Sequence, residues 1–546
     1  MVNDASSKPE PLPLHELMAR VLMAQEPSSQ RKRDLIPALG TMQSLNQALI
    51  KRPTLDFVNA ILRGIGQVIF VNNPVSGLLI LLALLFQSPW VGGMGLLGGI
   101  ASTLTAMWLK LDREAIRNGI FGYNGILVGA ALATFGAINA SNFLAWAIAI
   151  IVLSALTTWL LKTLGLWIVT TLKCPALTVP FNLVTIGFLA IAPLLFPALF
   201  ARSVASPAVT APLDPVPLAE SLLTGFGQVF LVDDLIAALL IFVAIAICTP
   251  LGALVGLLGS ILGVLAGFIM GVSPTALYTG LWGYNAVLTA IAIGGIFYAP
   301  NLRSVLIGLA CAFISGLVGG VLSLLFSPLG LPSLTLAFCL VTIVAFTILR
   351  RSLPSQVPVD LSAITSPEEH LQRFHLAKDI ISNFRRQLEI AMLGEQRRFL
   401  FESAPASVRG DLRYLFDAID TNHSNTLSTQ ELTHHLHQSG QVWSDEELNY
   451  LFKSLDVDGS GEIDFEEFGE IILRQRRFMS NFHEFITYFL PIDANGDKAI
   501  GVDEMNVALN SVGESSLTSN EIEFLRYRTG THTMTWNQFI EVLLVT

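Results

Sequence analysis

Apolar runs broken by short polar turns fill residues 74–349, and a mixed, charge-rich pattern follows them. Runs long enough to cross a bilayer, roughly 20 residues each, fall near 74–88, 91–109, 119–137, 143–161 and 180–200. A second set falls near 229–247, 251–270, 275–297, 304–326 and 334–349. A shorter stretch precedes each set, "LDFVNAILRGIGQVIF" (55–70) and "LAESLLTGFGQVF" (218–230), and each carries Gly-x-Gly-Gln ahead of a polar pair. This fits a half-spanning re-entrant helix whose broken end faces a cavity, the one place irregular backbone is tolerated at membrane depth. An ordinary membrane helix whose Gln meets a neighbour is the plainer alternative.

The two sets echo each other. "GIGQVIFVNN" (64–73) matches "GFGQVFLVDD" (225–234), which sets Gln67 and Gln228 161 residues apart. Asn124 and Asn285, each behind a Gly-Tyr pair, are also 161 apart, and "TVPFNLVT" (178–185) matches "TLAFCLVT" (335–342) at an offset of 157. A duplicated unit of five crossings enters the membrane from opposite faces, so the pattern predicts an inverted repeat with its solute site near the midplane. The expected organisation is a segment 1–53, repeat 1 at 54–200, an extracytoplasmic loop 201–217, repeat 2 at 218–351, a helical linker 352–404 and a soluble domain 405–546. The fold class is all-α.

Composition agrees with a membrane region. The 546 residues are 52% hydrophobic and only 14% charged, where a soluble domain carries roughly a quarter. Between Val68 and Leu349 lie seven basic residues: Lys110, Arg113, Arg117, Lys162, Lys173, Arg202 and Arg303. All but Arg202 fall on one side of the crossings, as does the Arg350–Arg351 pair. By the positive-inside rule both termini are expected in the cytosol of a plasma or inner membrane. No apolar signal-peptide core is visible in the first fifty residues. The four cysteines sit in or beside apolar runs and are too scattered for a zinc site.

The absences narrow the solute. No histidine occurs between His15 and His370, and no Asp or Glu between Glu114 and Asp214. Ion-coupled carriers generally place ionisable groups in the membrane. The recurring groups here are neutral: Gln67/Gln228, Tyr123/Tyr284, Asn124/Asn285, Thr178/Thr335 and Phe181/Phe338. Amides and hydroxyls beside aromatic faces suit a small, neutral, polar, planar molecule. No nucleophile–base pattern points to enzymatic chemistry.

The blocks "GQVIFVNNPVSGLLILLALLFQSPW" (66–90), "FGYNGILVG", "LTVPFN", "GLWGYNAVLTAIAIGGIFYA" (280–299) and "GLPSLTLAFCLVT" (330–342) resemble the urea transporter family over about residues 60–350. The resemblance implies a channel-like facilitator, a homotrimer in lipid with one urea pore per protomer. By position it puts Gln67 and Gln228 at the re-entrant helix ends, with Phe70 and Val229 beside them. Tyr123 with Leu127, and Tyr284 with Leu288, would form an aromatic slot, and Thr178 and Thr335 the constriction. Asn124 and Asn285 are expected to brace broken helix ends, with Phe181 and Phe338 as further scaffold. Some members carry Glu where Gln228 stands. A calcium-recruited scaffold with a vestigial pore, or a channel for ammonia or another small amide, is the alternative.

The tail carries a different motif. "DVDGSGEIDFEE" (456–467) fits the calcium-loop template, with Asp456, Asp458, Ser460, the Glu462 carbonyl, Asp464 and Glu467 as ligands and Gly461 at the sharp turn. "DTNHSNTLSTQE" (420–431) supplies Asp420, Asn422, Ser424, the Thr426 carbonyl, Ser428 and Glu431, with Asn425 at the glycine position. "DANGDKAIGVDE" (493–504) supplies Asp493, Asn495, Asp497, the Ala499 carbonyl and Glu504, but has Lys498 at that position. A fourth unit near 527–538 lacks acidic ligands and keeps Met534 in the apolar slot, as a structural partner of the third. Residues 405–546 thus resemble a calmodulin-like domain of four EF-hands in two lobes, binding calcium. His434, His435 and His437 read as a solvated helix face rather than a zinc site. The segment 366–401 reads as a helix capped by Ser366, with Glu368 and Glu369 in its first turn, either packed on the first lobe or gripped by a calcium-loaded one. No nucleic-acid partner is expected.

Overall fold

The computed structural model describes residues 39–136, 142–172, 174–196, 213–298, 300–352, 366–371, 404–438, 459–470, 472–473, 499–511, 513–529 and 533–535, with a few positions between 385 and 402. It is predominantly helical and divides between Arg373 and Phe374 into two compact units.

In the first unit, α1 (Gln43–Leu49) leads into α2 (Pro53–Gln67). After α2 the chain turns back through Phe70, held at φ 64°. A side chain at Gly66 would put its Cβ 2.2 Å from the Val71 carbonyl, so this fold-back demands glycine. The side chain of Asn73 then accepts from the backbone of Val75 and Ser76 and starts α3 (Pro74–Gln87). Ser88 starts α4 (Pro89–Trp108) in the same way. The short α5 (Arg113–Arg117) follows, then α6 (Tyr123–Phe135), α7 (Phe143–Leu160, running on through a π-turn to Leu172) and α8 (Val179–Leu195).

The same order returns in α9 (Pro215–Gln228), α10 (Leu235–Cys248), α11 (Pro250–Ile269), α12 (Tyr284–Ile291), α13 (Leu302–Phe326) and α14 (Leu336–Ser352). Asp234 and Thr249 cap α10 and α11 where Asn73 and Ser88 cap α3 and α4. Left-handed backbone recurs at matched positions: Phe70 and Leu231, Gly119 and Gly280, Leu177 and Leu334.

Among the described residues, four helical segments are long and apolar enough to cross a membrane: Pro89–Trp108, Phe143–Leu172, Pro250–Ile269 and Leu302–Leu329. The others are shorter; a 13-residue helix such as α6 rises only about 20 Å against an apolar layer of about 30 Å. Three apolar runs enter their main helix later than the hydropathy pattern expects, at Tyr123 instead of 119, at Leu235 instead of 229 and at Tyr284 instead of 275. In each case a left-handed residue (Gly119, Leu231, Gly280) intervenes first. The interior is packed on small residues: a Cβ on Gly98 would fall 2.0 Å from Gly125 O, the close backbone approach that membrane helices use in place of a hydrophobic driving force. Large apolar side chains such as Phe86, Trp108, Leu144, Leu194 and Leu324 face outward.

Residues 366–371 belong to this unit. Ser366 caps the turn, its Oγ accepting from Glu369 N at 3.2 Å, and Pro367 packs on Gly295.

The second unit holds α15 (Ala406–Ile419), β1 (Thr426–Leu427), α16 (Thr429–Gln438) and β2 (Ile463–Asp464). β1 and β2 pair antiparallel, with Leu427 opposite Ile463, over a core of Leu412, Leu415, Phe416, Phe468 and Ile472. β3 (Ala499–Gly501), α17 (Val502–Ser511), α18 (Ser519–Thr529) and β4 (Thr533–Thr535) make a second pairing, with Ile500 opposite Met534. Met534 fills the expected strand position beside the third loop. Arg385 of the linker donates to Ser515 O and pairs with Glu521 at 3.4 Å, so this part meets the second pairing. Phe401, near the linker's end, enters the core of the first.

Candidate functional site

A cavity of about 460 Å³ opens in the membrane unit between the end of α2 and the start of α8. Gln67, Phe70, Tyr123, Thr178, Phe297 and Phe338 line it, with Asp112 and Lys162 also on its wall. Gln67 is fixed by donating through Nε2 to Asn118 O at 3.1 Å. Phe70 lies edge-on to Phe297 and Phe338, with ring centroids 5.5 and 6.0 Å away. The left-handed turn after α2 is what aims Phe70 there.

The tyrosine hydroxyls do not reach for a solute. Tyr123 Oη donates to Leu177 O at 2.7 Å, and Tyr284 Oη donates to Leu334 O. Those carbonyls belong to the left-handed residues just before Thr178 and Thr335. Each tyrosine therefore ties the start of one helix, α6 or α12, to the approach of another, α8 or α14. Leu127 and Leu288 sit one turn further along, each 1% exposed.

Thr178 and Thr335, from opposite halves of the chain, meet with their Oγ1 atoms 2.6 Å apart. Two residues that sequence reasoning passed over complete this junction. Asn182 donates through Nδ2 to Thr178 O at 2.9 Å and to Thr335 Oγ1 at 3.0 Å, and Cys339 Sγ lies 3.2 Å from Thr178 Oγ1. The only signal was position: Asn182 and Cys339 are related by the same 157-residue offset as the threonines. Phe297 was missed because it stands alone, outside any echoed block.

The remaining expected residues lie elsewhere in the same unit. Gln228 donates to Thr279 O at 2.8 Å, the counterpart of the Gln67 bond 161 residues earlier, and Val229 is buried beside it. Asn285 donates to Leu334 O and accepts from Phe338 N, both at 3.2 Å. Asn124 is buried, but neither of its amide atoms has a hydrogen-bond partner among the described residues. Phe181 and Phe338 are buried in the core.

A second network, also missed, joins α2 to Thr41 and to residues 368–369. Arg63, fully buried on α2, donates to Thr41 O at 2.7 Å, Met42 O at 2.9 Å and Asn72 O at 2.6 Å. Thr41 in turn donates through its N–H and hydroxyl to Glu369 Oε1, at 3.0 and 2.6 Å. Glu368 accepts from Leu251 N at 2.6 Å, which places a carboxylate at the N-terminus of α11 where the helix dipole favours it. Nothing in the local sequence near Arg63 pointed to residue 369.

In the second unit the loop 420–431 is described in full. Asn425, at the glycine position, adopts φ 65°, as the template demands. Asp420 accepts from Ser424 N and Asn425 N, and Glu431 from the backbone N–H groups of Thr421, Asn422 and Ser428, so both carboxylates turn into the loop. Burial works to raise the Glu431 carboxyl, but these bonds and that from the Ser428 hydroxyl outweigh it and hold the group below the usual carboxylate range. In the second loop, Gly461 takes φ 82°, Ser460 Oγ donates to the Glu462 carbonyl, and Asp464 caps Glu467 N at 2.7 Å. Alternating oxygens closed by a carboxylate fit a hard divalent cation, and these residues would hold calcium. Among the described residues no group of three His, Cys, Asp or Glu converges; the loop 420–431 mixes two carboxylates with amide and hydroxyl ligands. Asp456 and Asp458, and Asp493, Asn495 and Asp497 of the third loop, lie outside the described residues, whereas the segment from Ala499 to Glu504 forms β3 and the start of α17.

Fold and site together define an integral membrane protein of broken helices around an aromatic-lined cavity, joined to paired helix–loop–helix units. The urea transporter family model matches residues 58–350, and the model of an EF-hand domain pair matches residues 410–473. Urea transporter 1 of Ovis aries is 36% identical over 357 residues, which cover 63% of this chain and 92% of the relative. Urea transporter 1 of Mus musculus is 36% identical over 337 residues, covering 61% and 87%. The chain belongs to the urea transporter family.

Proposed function

We propose that this chain is a passive channel for urea and small planar amides, built as two inverted repeats, with a calcium-binding tail in the cytosol that adjusts its flux. The observation that carries the reading is the Thr178–Thr335 junction at the end of a cavity walled by aromatic rings. Urea has four N–H donors and one carbonyl, and losing water from such groups without replacement costs about 2–7 kcal/mol each. Threonine oxygens and helix-end carbonyls replace that water along the edges while ring faces cover the plane. The described groups at the junction offer no compensating charge to Na⁺ or H⁺. Matched features at an offset of 161 residues support the inverted repeat, spanning 54–200 and 218–351, and the basic loops support cytosolic termini. A homotrimer in lipid is part of the same proposal. Stopped-flow urea gradients across proteoliposomes test the reading. Flux that requires a sodium or proton gradient would overturn it.

Calcium regulation would run through residues 366–371. This strap is held by Glu368 on α11 and by Glu369 on Thr41, and Thr41 is held by Arg63 of the re-entrant helix that ends at Gln67. The strap continues through Arg373 into the calcium-binding unit. Rearrangement of EF-hands on binding calcium would then pull on a chain of bonds that reaches the cavity. The second repeat has Thr224 where Arg63 stands, so the tail would act on one half. The test compares urea flux with calcium and with chelator in wild type and in the E368Q/E369Q double variant. A calcium effect that survives in the double variant would rule out the strap as its route.

A further inference from the structure

We infer that Asn182 is a positioning residue that sets the polarity of the Thr178–Thr335 pair, so that both hydroxyls meet the solute as acceptors only. The inference rests on the urea-channel reading.

Asn182 lies one turn after Thr178 on α8 and is 1% exposed. Its amide faces Thr178 O at 2.9 Å. A carbonyl oxygen only accepts, so the amide nitrogen must face it, and this settles which way the side chain is flipped. The second N–H then points at Thr335 Oγ1, 3.0 Å away, and occupies one of that oxygen's two lone pairs. Thr335 passes its own hydrogen to Thr178 Oγ1 at 2.6 Å, and Thr178 passes its hydrogen to Cys339 Sγ at 3.2 Å. Run in this direction, the chain uses both hydroxyl hydrogens and leaves one lone pair on each oxygen.

The opposite direction fills both lone pairs of Thr335 and turns its hydrogen toward the solute. It also requires the thiol, a weak donor, to drive the chain. Both Nδ2 hydrogens are already given to Thr178 O and Thr335 Oγ1, so the sulfur is left to accept from the Thr178 hydroxyl at the end of the chain. A chain seeded by an amide N–H and ending on sulfur is the mutually reinforcing one. The result is a constriction with two acceptors and no spare donor. It fits a molecule with N–H groups along its edges and offers nothing to one that carries only acceptors. The control is one-sided: the position matching Asn182 in the second half is Cys339.

The test is saturable urea flux through full-length protein in liposomes, separating maximal rate from half-saturating concentration. N182C should raise the half-saturating concentration about tenfold, the loss of one solute hydrogen bond; N182L, similar in volume, replaces it if N182C yields no folded protein. The swap N182C/C339N moves the amide to the matching turn of the other half and should return the value to within about twofold of wild type. A purely structural role at 182 would lower maximal flux without moving half-saturation, and an amide at 339 would not rescue it. An unmoved half-saturation, or a swap that restores nothing, overturns the inference. Wild type that passes no urea above protein-free vesicles overturns the channel reading and this inference together. Normal wild-type flux with an unmoved N182C removes the inference alone.

Discussion

Tyr123 and Tyr284 occupy matching positions, yet removing their hydroxyls should have unequal consequences. In Y284F, Leu334 O loses the phenol but keeps the bond from Asn285 Nδ2 at 3.2 Å. The cost is then that of one net hydrogen bond, about 0.5–1.5 kcal/mol. In Y123F, Leu177 O loses the one donor it has among the described residues, because Asn124 is not bonded to it, and Leu177 is only 5% exposed. A stranded buried carbonyl costs about 1–3 kcal/mol. Y123F should therefore be the less stable of the two by about 1 kcal/mol, with urea flux in both variants within about twofold of wild type because the ring faces remain. Thermal unfolding of purified protein and stopped-flow flux in vesicles measure the two effects separately. Equal destabilisation would refute the role given to Asn285. Loss of flux at unchanged stability would refute the claim that the hydroxyls act on the backbone rather than on the solute.

Further expectations concern the scaffold and the tail. G77A should give almost no monodisperse protein on size-exclusion chromatography, because its Cβ would fall 1.8 Å from Leu62 O and force α2 and α3 apart. R63M leaves the carbonyls of Thr41, Met42 and Asn72 without their donor, each about 1–3 kcal/mol. It should lower the unfolding temperature far more than R303M on the surface. E467Q removes the closing carboxylate of the second loop and should weaken calcium binding by about tenfold or more in a titration of the full chain. E431Q should do the same at the first loop, whose fewer carboxylates make it the weaker site.

Much of the architecture was legible in one dimension. Hydropathy located the apolar helices because lipid forces long apolar runs, and the echo of Gly-x-Gly-Gln marks the ends of α2 and α9. The loop template at 420–431 was readable because calcium needs oxygens at fixed spacing, and Asn425 took the left-handed backbone expected of it. Helix starts at Tyr123, Leu235 and Tyr284 were missed, since a left-handed Leu231 or Gly280 leaves no mark in hydropathy.

What the sequence by itself determined was therefore periodic or local: the apolar runs, the repeated blocks, the caps and the ligand spacing. Pairings between distant residues were decided only by the tertiary structure. Thr178 meets Thr335, Arg63 is tied through Thr41 to Glu369, and the tyrosine hydroxyls turn to Leu177 and Leu334 instead of to the cavity. The physical reason is that a buried polar group must find a partner, and which group it finds depends on how helices far apart in the chain are brought together. Asn124 and Asn285 show the limit plainly. Identical in their sequence setting, they differ once packed: one braces a helix start, and the other makes no hydrogen bond among the described residues.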